Sequence, residues 1–461
     1  MYAAAPVAEG QRRQMLTTST IAFTACFAVW TIFSIIGVQI QQDLGLSDTE
    51  FGILVGTPIL TGSLSRLILG IWADQYGGRI VNTILMLAAA AATFMLSWAD
   101  SYYEFLVAAL GVGLAGGSFA VGIAYVSRWY PRERQGTALG IFGMGNVGAA
   151  VTKFVAPFVM VAFGWTAVAQ FWALGLAVMA LIFYFTTQDD PVLVEQRRTG
   201  DRPQSAAAQL TPLRKLQVWR FALYYFFVFG AFVALALWLP RYYVGAYGLD
   251  IVTAGMLGAL YSLPASVFRA VGGWMSDRWG ARTVMYWTFG VSIACTFLLS
   301  YPTTHYVMEG IEGPIEFTLA MGVVPFTILT FILGFFMSLG KAAVYKHIPV
   351  YYPDNVGSVG GLVGMIGGLG GFVLPIAFGM MNDLTGVWTS CFMLLFALVA
   401  GAMLWMHFAI LRMERKAHPE LRELPELPEM HGLGAEPAPR VPGINTRRRR
   451  PRGASALMPA E

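Results

Sequence analysis

Two stretches of this 461-residue chain carry one spaced pattern: an arginine in an apolar run, then glycine, aspartate, glycine and arginine at fixed intervals. The first reads Arg66, Gly70, Asp74, Gly77, Arg79, and the second Arg269, Gly273, Asp277, Gly280, Arg282, each residue 203 positions later. Five coincidences at one offset point to a duplicated unit, so the chain is expected to fold as two like halves. The leading arginine of each copy is flanked by apolar sequence about a bilayer span long, which leaves it no bulk water. Arginines in such places are functional until shown otherwise.

Composition says where those halves live. At 56% hydrophobic and 12% charged residues, with a mean hydropathy of +0.60, the chain matches a polytopic membrane protein rather than the roughly three soluble domains its length would suggest. Apolar windows of span length fall at 16–40, 51–72, 80–98, 103–127, 136–161, 165–187, 218–240, 252–275, 283–301, 316–342, 356–380 and 387–411. They predict an all-α membrane protein of twelve transmembrane helices in two pseudo-symmetric six-helix halves. Cys26, Cys295 and Cys391 lie in apolar runs without paired spacing, so they read as small apolar fillers and imply neither disulfides nor a metal site. The net charge of +4 sorts by membrane side and makes no case for nucleic acid. The start, Met1 to Gln14, is polar with Arg12 and Arg13, and the apolar stretch behind it is of full span length, so no cleavable signal peptide is expected.

The connections after windows two, four, six, eight and ten hold Arg79; Arg128, Arg132 and Arg134; Arg197, Arg198, Arg202, Arg214 and Lys215; Arg278 and Arg282; and Lys346. The opposite connections hold little beyond Arg241, among acids such as Asp43, Asp48, Glu50, Glu309, Glu312 and Glu316. The positive-inside rule then puts both termini in the cytoplasm, with a bacterial-type inner membrane as the expected location. The expected units are a cytoplasmic segment 1–15, an N-terminal half 16–187, a cytoplasmic linker 188–217, a C-terminal half 218–412 and a tail 413–461. The tail is rich in Pro, Glu and Arg and carries the run Arg447 to Arg450, a composition that cannot bury a core, so disorder beside the membrane is expected there. The Arg run is also suited to anionic lipid.

A second echo supports the duplication: Tyr130-Pro131 before Gly136, Gly140 and Gly143 resembles Tyr352-Pro353 before Gly357, Gly361 and Gly364, at offsets of 222 and 221. Parallel six-span halves suit a transporter that rocks about a substrate held near the bilayer midplane. In that frame Arg66 and Arg269 lie equally deep in windows two and eight. Each is costly in lipid, so both should face the interior, and two neighbouring guanidinium groups call for an anion. Arginine suits a planar oxyanion better than lysine because its fork offers parallel donors to two oxygens. The alternative is pairing with buried carboxylates or helix carbonyls; no Asp or Glu lies near the middle of any window, which removes the first kind of partner.

Gly136, Gly140, Gly143, Gly145 and Gly148, like Gly357, Gly360, Gly364, Gly367, Gly368 and Gly371, approximate a spacing of three to four on one helix face. Such faces let backbones approach closely and leave room for a small substrate, and packing alone also accounts for them. Asn146 adds an amide able to donate to an anion. Asp74 and Asp277, with Arg79 and Arg282, fall at the cytoplasmic ends of their windows. An acid there that meets the positive N-terminal end of a neighbouring helix, near Gly136 or Gly357, would latch one conformation and release in the other.

The loop Gly70, Asp74, Gly77, Arg79 resembles the signature of the major facilitator superfamily. The segments Gly140 to Asn146 and Gly360 to Gly371, together with Arg66 and Arg269, resemble the nitrate/nitrite porter family within it, over roughly residues 16–412. The resemblance implies a planar anion held between two arginines and sandwiched by aromatic rings. Carried over, Arg66 and Arg269 are the clamp, Asn146 an amide contact, Phe119 and Phe229 the stacking rings, and Tyr225 a hydroxyl donor. Gly143, Gly145, Gly364, Gly367 and Gly368 are the signature glycines. Independently, Tyr225 and Phe229 share a helix face, and each aromatic is equally accounted for by packing. No cofactor is implied. The expected partners are nitrate or nitrite, protons and the bilayer, and the expected state is a monomer.

The segment Ile35 to Gln39 running to Gly52 to Pro58, and the stretch Lys341 to Pro349, look more like the nitrate/proton symporters of the family than its nitrate/nitrite exchangers. Nitrate import by proton symport is therefore the expectation, with nitrate/nitrite antiport as the alternative. A symporter ordinarily offers a titratable group, and no window has a central carboxylate. Lys153 and Lys341 are the ionisable candidates for a proton-linked role, Lys153 being also able to snorkel outward, while His347 reads as a loop residue. An enzyme is the rival class, and a receptor or channel the third. No nucleophile with base and orienter, metal spacing or phosphate loop accompanies a soluble segment, and repeated latches suit alternating access better than a pore.

Overall fold

A computed structural model describes residues 8–130, 132–191, 194, 195, 198, 215–351 and 356–416. The first six spans are α1 Glu9–Leu44, α2 Asp48–Tyr76, α3 Gly78–Trp98, α4 Tyr102–Trp129, α5 Thr137–Phe163 and α6 Trp165–Thr186. The second six are α7 Leu216–Tyr247, α8 Ile251–Trp279, α9 Ala281–Leu299, α10 Val323–Tyr351, α11 Val356–Thr385 and α12 Ser390–Lys416. Eleven are long and apolar enough to cross a membrane. The twelfth, α2, has 29 residues and carries Arg66 in its interior; at 1.5 Å per residue it is about 43 Å long, beyond a bilayer core of roughly 30 Å.

The repeated glycines explain the duplicated turns. Gly77 and Gly280 take φ of +97° and +83°, which residues with a Cβ rarely adopt, and each ends one span where the next begins. Capping boxes start α2 and α4: Ser47 accepts from the Glu50 amide and Glu50 from the Ser47 amide, and Ser101 and Glu104 repeat the exchange.

The departure from an all-α chain is an antiparallel hairpin, β1 Thr304–Gly310 and β2 Gly313–Leu319, in register from Thr304 with Leu319 to Gly310 with Gly313. It corrects window ten, which was expected to begin at 316. Strand residues such as Phe317 and Leu319 are as apolar as helix residues, so hydropathy alone ran them into the span. With α10 beginning at Val323, Lys341 moves from the inner end of the span toward its interior. Arg241, expected in a loop, lies within α7, and α12 carries its helix to Lys416, past the expected boundary at 412. Residues 201–214 of the linker and 417–461 of the tail lie outside the described residues.

α1 and α7 are central, with 83% and 89% of their apolar windows buried, while α12 is peripheral at 22%. The halves meet where α1 packs on α7, α2 on α11 and α5 on α8. Glycines allow the closest approaches: Gly56 of α2 lies directly against Phe372 of α11, and Gly255 of α8 against the Lys153 carbonyl of α5. Several central spans are irregular. α1 breaks at Thr31, α4 and α5 tighten into 3₁₀ turns at Gly113–Gly117 and Met144–Val147, α7 widens into a π turn at Phe226–Ala231, and α8 is interrupted at Phe268. Irregular backbone at membrane depth is tolerated where protein buries it or it lines a cavity.

Candidate functional site

Each of those irregularities borders one cluster of side chains. Arg66 on α2 and Arg269, the residue after the α8 interruption, are 4% and 7% exposed. Both guanidinium carbons lie over the same ring, Phe119 of α4, at 5.1 and 5.7 Å from its centroid. Phe229, in the π turn of α7, lies 5.4 Å from Arg66, and Trp30, beside the α1 break, lies 5.5 Å from it. Tyr345 of α10 lies 5.7 Å from Arg269.

Among the described residues no carboxylate pairs with either arginine. Arg66 instead donates from Nε to the Gly116 carbonyl at 3.4 Å and from Nη1 to the Gly364 carbonyl at 2.9 Å. The reading in which helix carbonyls hold the arginine is thus met in part at Arg66. Arg269 Nη1 has no hydrogen-bond partner among the described residues. Cation–π contacts contribute about 0.5–2 kcal/mol each, against several kcal/mol for burying an unpaired charge. Two like charges therefore stay under-neutralised, which is the electrostatic condition for taking an anion.

The neighbours are polar where an anion would need donors. Asn146, in the 3₁₀ turn of α5, is fully buried with neither Oδ1 nor Nδ2 hydrogen-bonded, and Ser63 Oγ, one turn before Arg66, is likewise unpartnered among the described residues. An unmade bond of this kind costs about 1–3 kcal/mol. Tyr225 stacks on Phe229 at 5.1 Å and meets Tyr345 edge-on at 4.9 Å, while Tyr345 Oη donates to the Gly360 carbonyl at 3.1 Å.

All five signature glycines abut this cluster. A methyl group at Gly143 would lie 3.1 Å from Arg269 Nη1, at Gly364 2.7 Å from Tyr345 Oη, and at Gly368 3.3 Å from Arg66 Nη1. Gly367 faces the Tyr225 ring, and Gly145 faces Phe23, whose ring lies 5.5 Å from Phe119. Close approach is what demands glycine here. Trp30, Ser63 and Tyr345 belong to the cluster although sequence reasoning did not select them. Ser63 precedes Arg66 by three and Tyr345 follows Lys341 by four, spacings that share a helix face. Trp30 offered no such signal.

Lys341 lies beside this cluster. It is fully buried, donates to the Ala265 carbonyl at 2.6 Å and sits 3.4 Å over the Phe232 ring, one turn from Tyr345. Lys153 is elsewhere, between α5 and α8, fully buried and donating to the Ala149 carbonyl at 2.9 Å. It does not snorkel outward, because Gly255 and Gly258 of α8 form a slot for its backbone and stem. His347 is corrected from loop to helix: it is buried in α10 and stacks on Phe221 at 5.4 Å.

At the repeated turns, Asp277 pairs with Lys346 of α10, inside its own half. Arg79 donates from Nε and Nη2 to the Tyr184 carbonyl at 3.0 and 2.8 Å, tying the α2–α3 turn to the end of α6, while Arg282 is buried. The Asp74 side chain lies outside the described residues. So do residues 131 and 352–355 and the side chains of 132–136 and 356–358, where the latch would find its helix ends.

The Major Facilitator Superfamily profile matches residues 18–308 and 311–458. The chain is 45% identical over 418 residues to a probable nitrate/nitrite antiporter NarK1 of Thermus thermophilus, covering 87% of this chain and 92% of that protein. It is 32% identical over 386 residues to a probable nitrate/nitrite transporter NarK2 of Mycobacterium tuberculosis, covering 81% and 90%. A nitrite extrusion protein of Bacillus subtilis is 28% identical over 397 residues, covering 85% and 94%. A crystal structure of a bacterial homologue of the human lysosomal transporter Spinster, inward-facing and occupied, matches with a TM-score of 0.64 at 16% identity, over 88% of this chain and 97% of that one. That last likeness is one of fold.

Proposed function

Because the chain belongs to the nitrate/nitrite porter family of the major facilitator superfamily, and so is a multi-pass membrane transporter and not an enzyme, we propose that it imports nitrate by proton symport. The observation that carries the reading is the convergence of Arg66 and Arg269, buried and without a carboxylate among the described residues, on the Phe119 ring. A small planar anion offers an oxygen edge to each guanidinium fork and its faces to Phe119 and Phe229, with the Asn146 amide and the Tyr225 hydroxyl as further donors. Nitrite suits the same donors. Alternating access follows from a site whose members come from both halves. The cation distribution supports both termini in the cytoplasm, and a monomer suffices because one chain supplies every member of the cluster.

Proton coupling is supported by Lys341, an amine buried beside the anion site that meets, among the described residues, the Ala265 carbonyl and the Phe232 ring. An anion at Arg269 adds negative charge near this lysine, so anion and proton each favour the other's binding. Lys153 is the second candidate. Nitrate/nitrite exchange is the other reading, favoured by the description of the Thermus relative as an antiporter. Nitrate uptake into proteoliposomes decides between them. An acid-outside gradient is expected to drive uptake into vesicles free of nitrite; uptake that needs internal nitrite and ignores the gradient replaces symport with exchange.

A further inference from the structure

The cation distribution assigns the α1–α2 turn to the outer face, and there α2 begins with its backbone donors satisfied from two sources. Ser47 Oγ takes the Glu50 amide at 3.2 Å, within the same helix. The two preceding amides go elsewhere: Asp48 N and Thr49 N donate to the Asp383 carboxylate at 3.1 and 2.8 Å, and Thr49 Oγ1 donates to it as well. Asp383 stands near the end of α11, in the other half. One half of the molecule thus caps a helix of the other, and a carboxylate there also meets the positive end of the α2 dipole.

The contact has company. Asp48 Oδ1 pairs with Arg241 Nη2 of α7 at 3.1 Å and accepts from Gln41 Nε2 at 2.9 Å, while Asn382 Nδ2 donates to Asp48 Oδ2. Arg241 in turn lies 4.7 Å over the Trp388 ring. Gly379, one turn before Asp383, makes the approach possible, because a Cβ there would overlap the Asp48 carbonyl. Three bonds accepted by Asp383, one ion pair and one amide therefore join the halves at a single point, remote in sequence from the repeated Asp-Gly-Arg turns.

We propose that Asp383, with Asn382 and Arg241, is the outer latch of the transport cycle: it holds the outward pathway shut through the N-terminus of α2 and releases when the halves part. Asp383 is itself exposed, so water screens its bonds. A contact of that strength suits one made and broken in every turnover.

The test reads the latch without any substrate, so its failure is separate from failure of the nitrate reading. Ile35 is fully buried and lies against the α8 face at Gly255, where α1 and α5 meet α8. A cysteine introduced there, Ile35→Cys, reacts with a membrane-impermeant maleimide from outside only when the halves part. Asp383→Ala is expected to raise that labelling rate about tenfold, equivalent to about 1.4 kcal/mol. Asp383→Asn keeps an oxygen acceptor and is expected to raise it less. Labelling at the parent rate in both variants overturns the latch. The double variant Thr49→Cys with Asp383→Cys supplies an independent reading. Its disulfide is expected to block nitrate uptake until reduced, while nitrate affinity of the purified protein stays within about threefold of its reduced form. Measurable nitrate uptake that is equal in the oxidised and reduced forms sinks the proposal.

Discussion

At a guanidinium that grips a planar anion, lysine keeps the charge and loses the fork. Arg66→Lys and Arg269→Lys are each expected to cut nitrate uptake by about tenfold to a hundredfold, the loss of one charge-assisted bond of about 1.5–3 kcal/mol, while the protein still inserts. Near-normal uptake by either well-inserted variant would remove the clamp. The two positions are not equivalent. Arg66 already holds two helix carbonyls, so its replacement also disturbs packing, whereas Arg269 has a donor without a partner among the described residues. The arginines were legible because a charge in an apolar window has few explanations. Trp30 was not, because 13 tryptophans, 19 tyrosines and 32 phenylalanines in one chain leave no single ring conspicuous, and Tyr345 was marked only by its spacing of four from Lys341. The snorkelling alternative for Lys153 was not decidable from the sequence for a related reason: whether a lysine snorkels depends on what faces it, and the slot made by Gly255 and Gly258 belongs to a span of the other half.

At the scale of the helix, Asp74→Asn and Asp277→Asn are expected to leave anion binding intact and slow turnover. Asp277 pairs with Lys346 through a side chain that is 62% exposed, so the pair contributes little, on the order of 1 kcal/mol or less, and the slowing at that position should be no more than about fivefold. Parallel measurement of nitrate affinity and uptake rate checks this; affinity lost as severely as transport would make these aspartates supports of the pocket. Spans were legible because bilayer thickness sets a length and the repeat marked Gly77 and Gly280 as chain reversals. The hairpin 304–319 was not, since its strands are short and the apolar end of the second, Phe317 to Leu319, runs on toward the span that follows. The outer contact of Asp383 with α2 was equally hidden: its partners are 334 positions apart, and no local pattern announces a cap supplied by another helix.

At the scale of the whole molecule, coupling becomes a question of net charge moved. If two or more protons accompany each nitrate, net positive charge enters, and an inside-negative potential contributes about 2.3 kcal/mol per charge per 100 mV. Nitrate uptake is therefore expected to rise when an inside-negative potassium diffusion potential is imposed at constant pH, and a voltage-indifferent rate would rule out two or more protons per nitrate, leaving electroneutral exchange or one proton per nitrate. The hydrogen bond from Arg66 to the Gly364 carbonyl bears on the same question from the other side of the cycle. It joins α2 of one half to α11 of the other through protein atoms alone. When cargo has left, that carbonyl still offers the Arg66 guanidinium partial negative charge, so the return stroke needs less screening from a passenger at that arginine. Obligatory exchangers stall at that stroke; a carrier able to close empty completes it. Vesicles loaded with nitrate and diluted into anion-free medium should accordingly drain on their own, and adding external nitrate should speed the release of tracer only a few-fold.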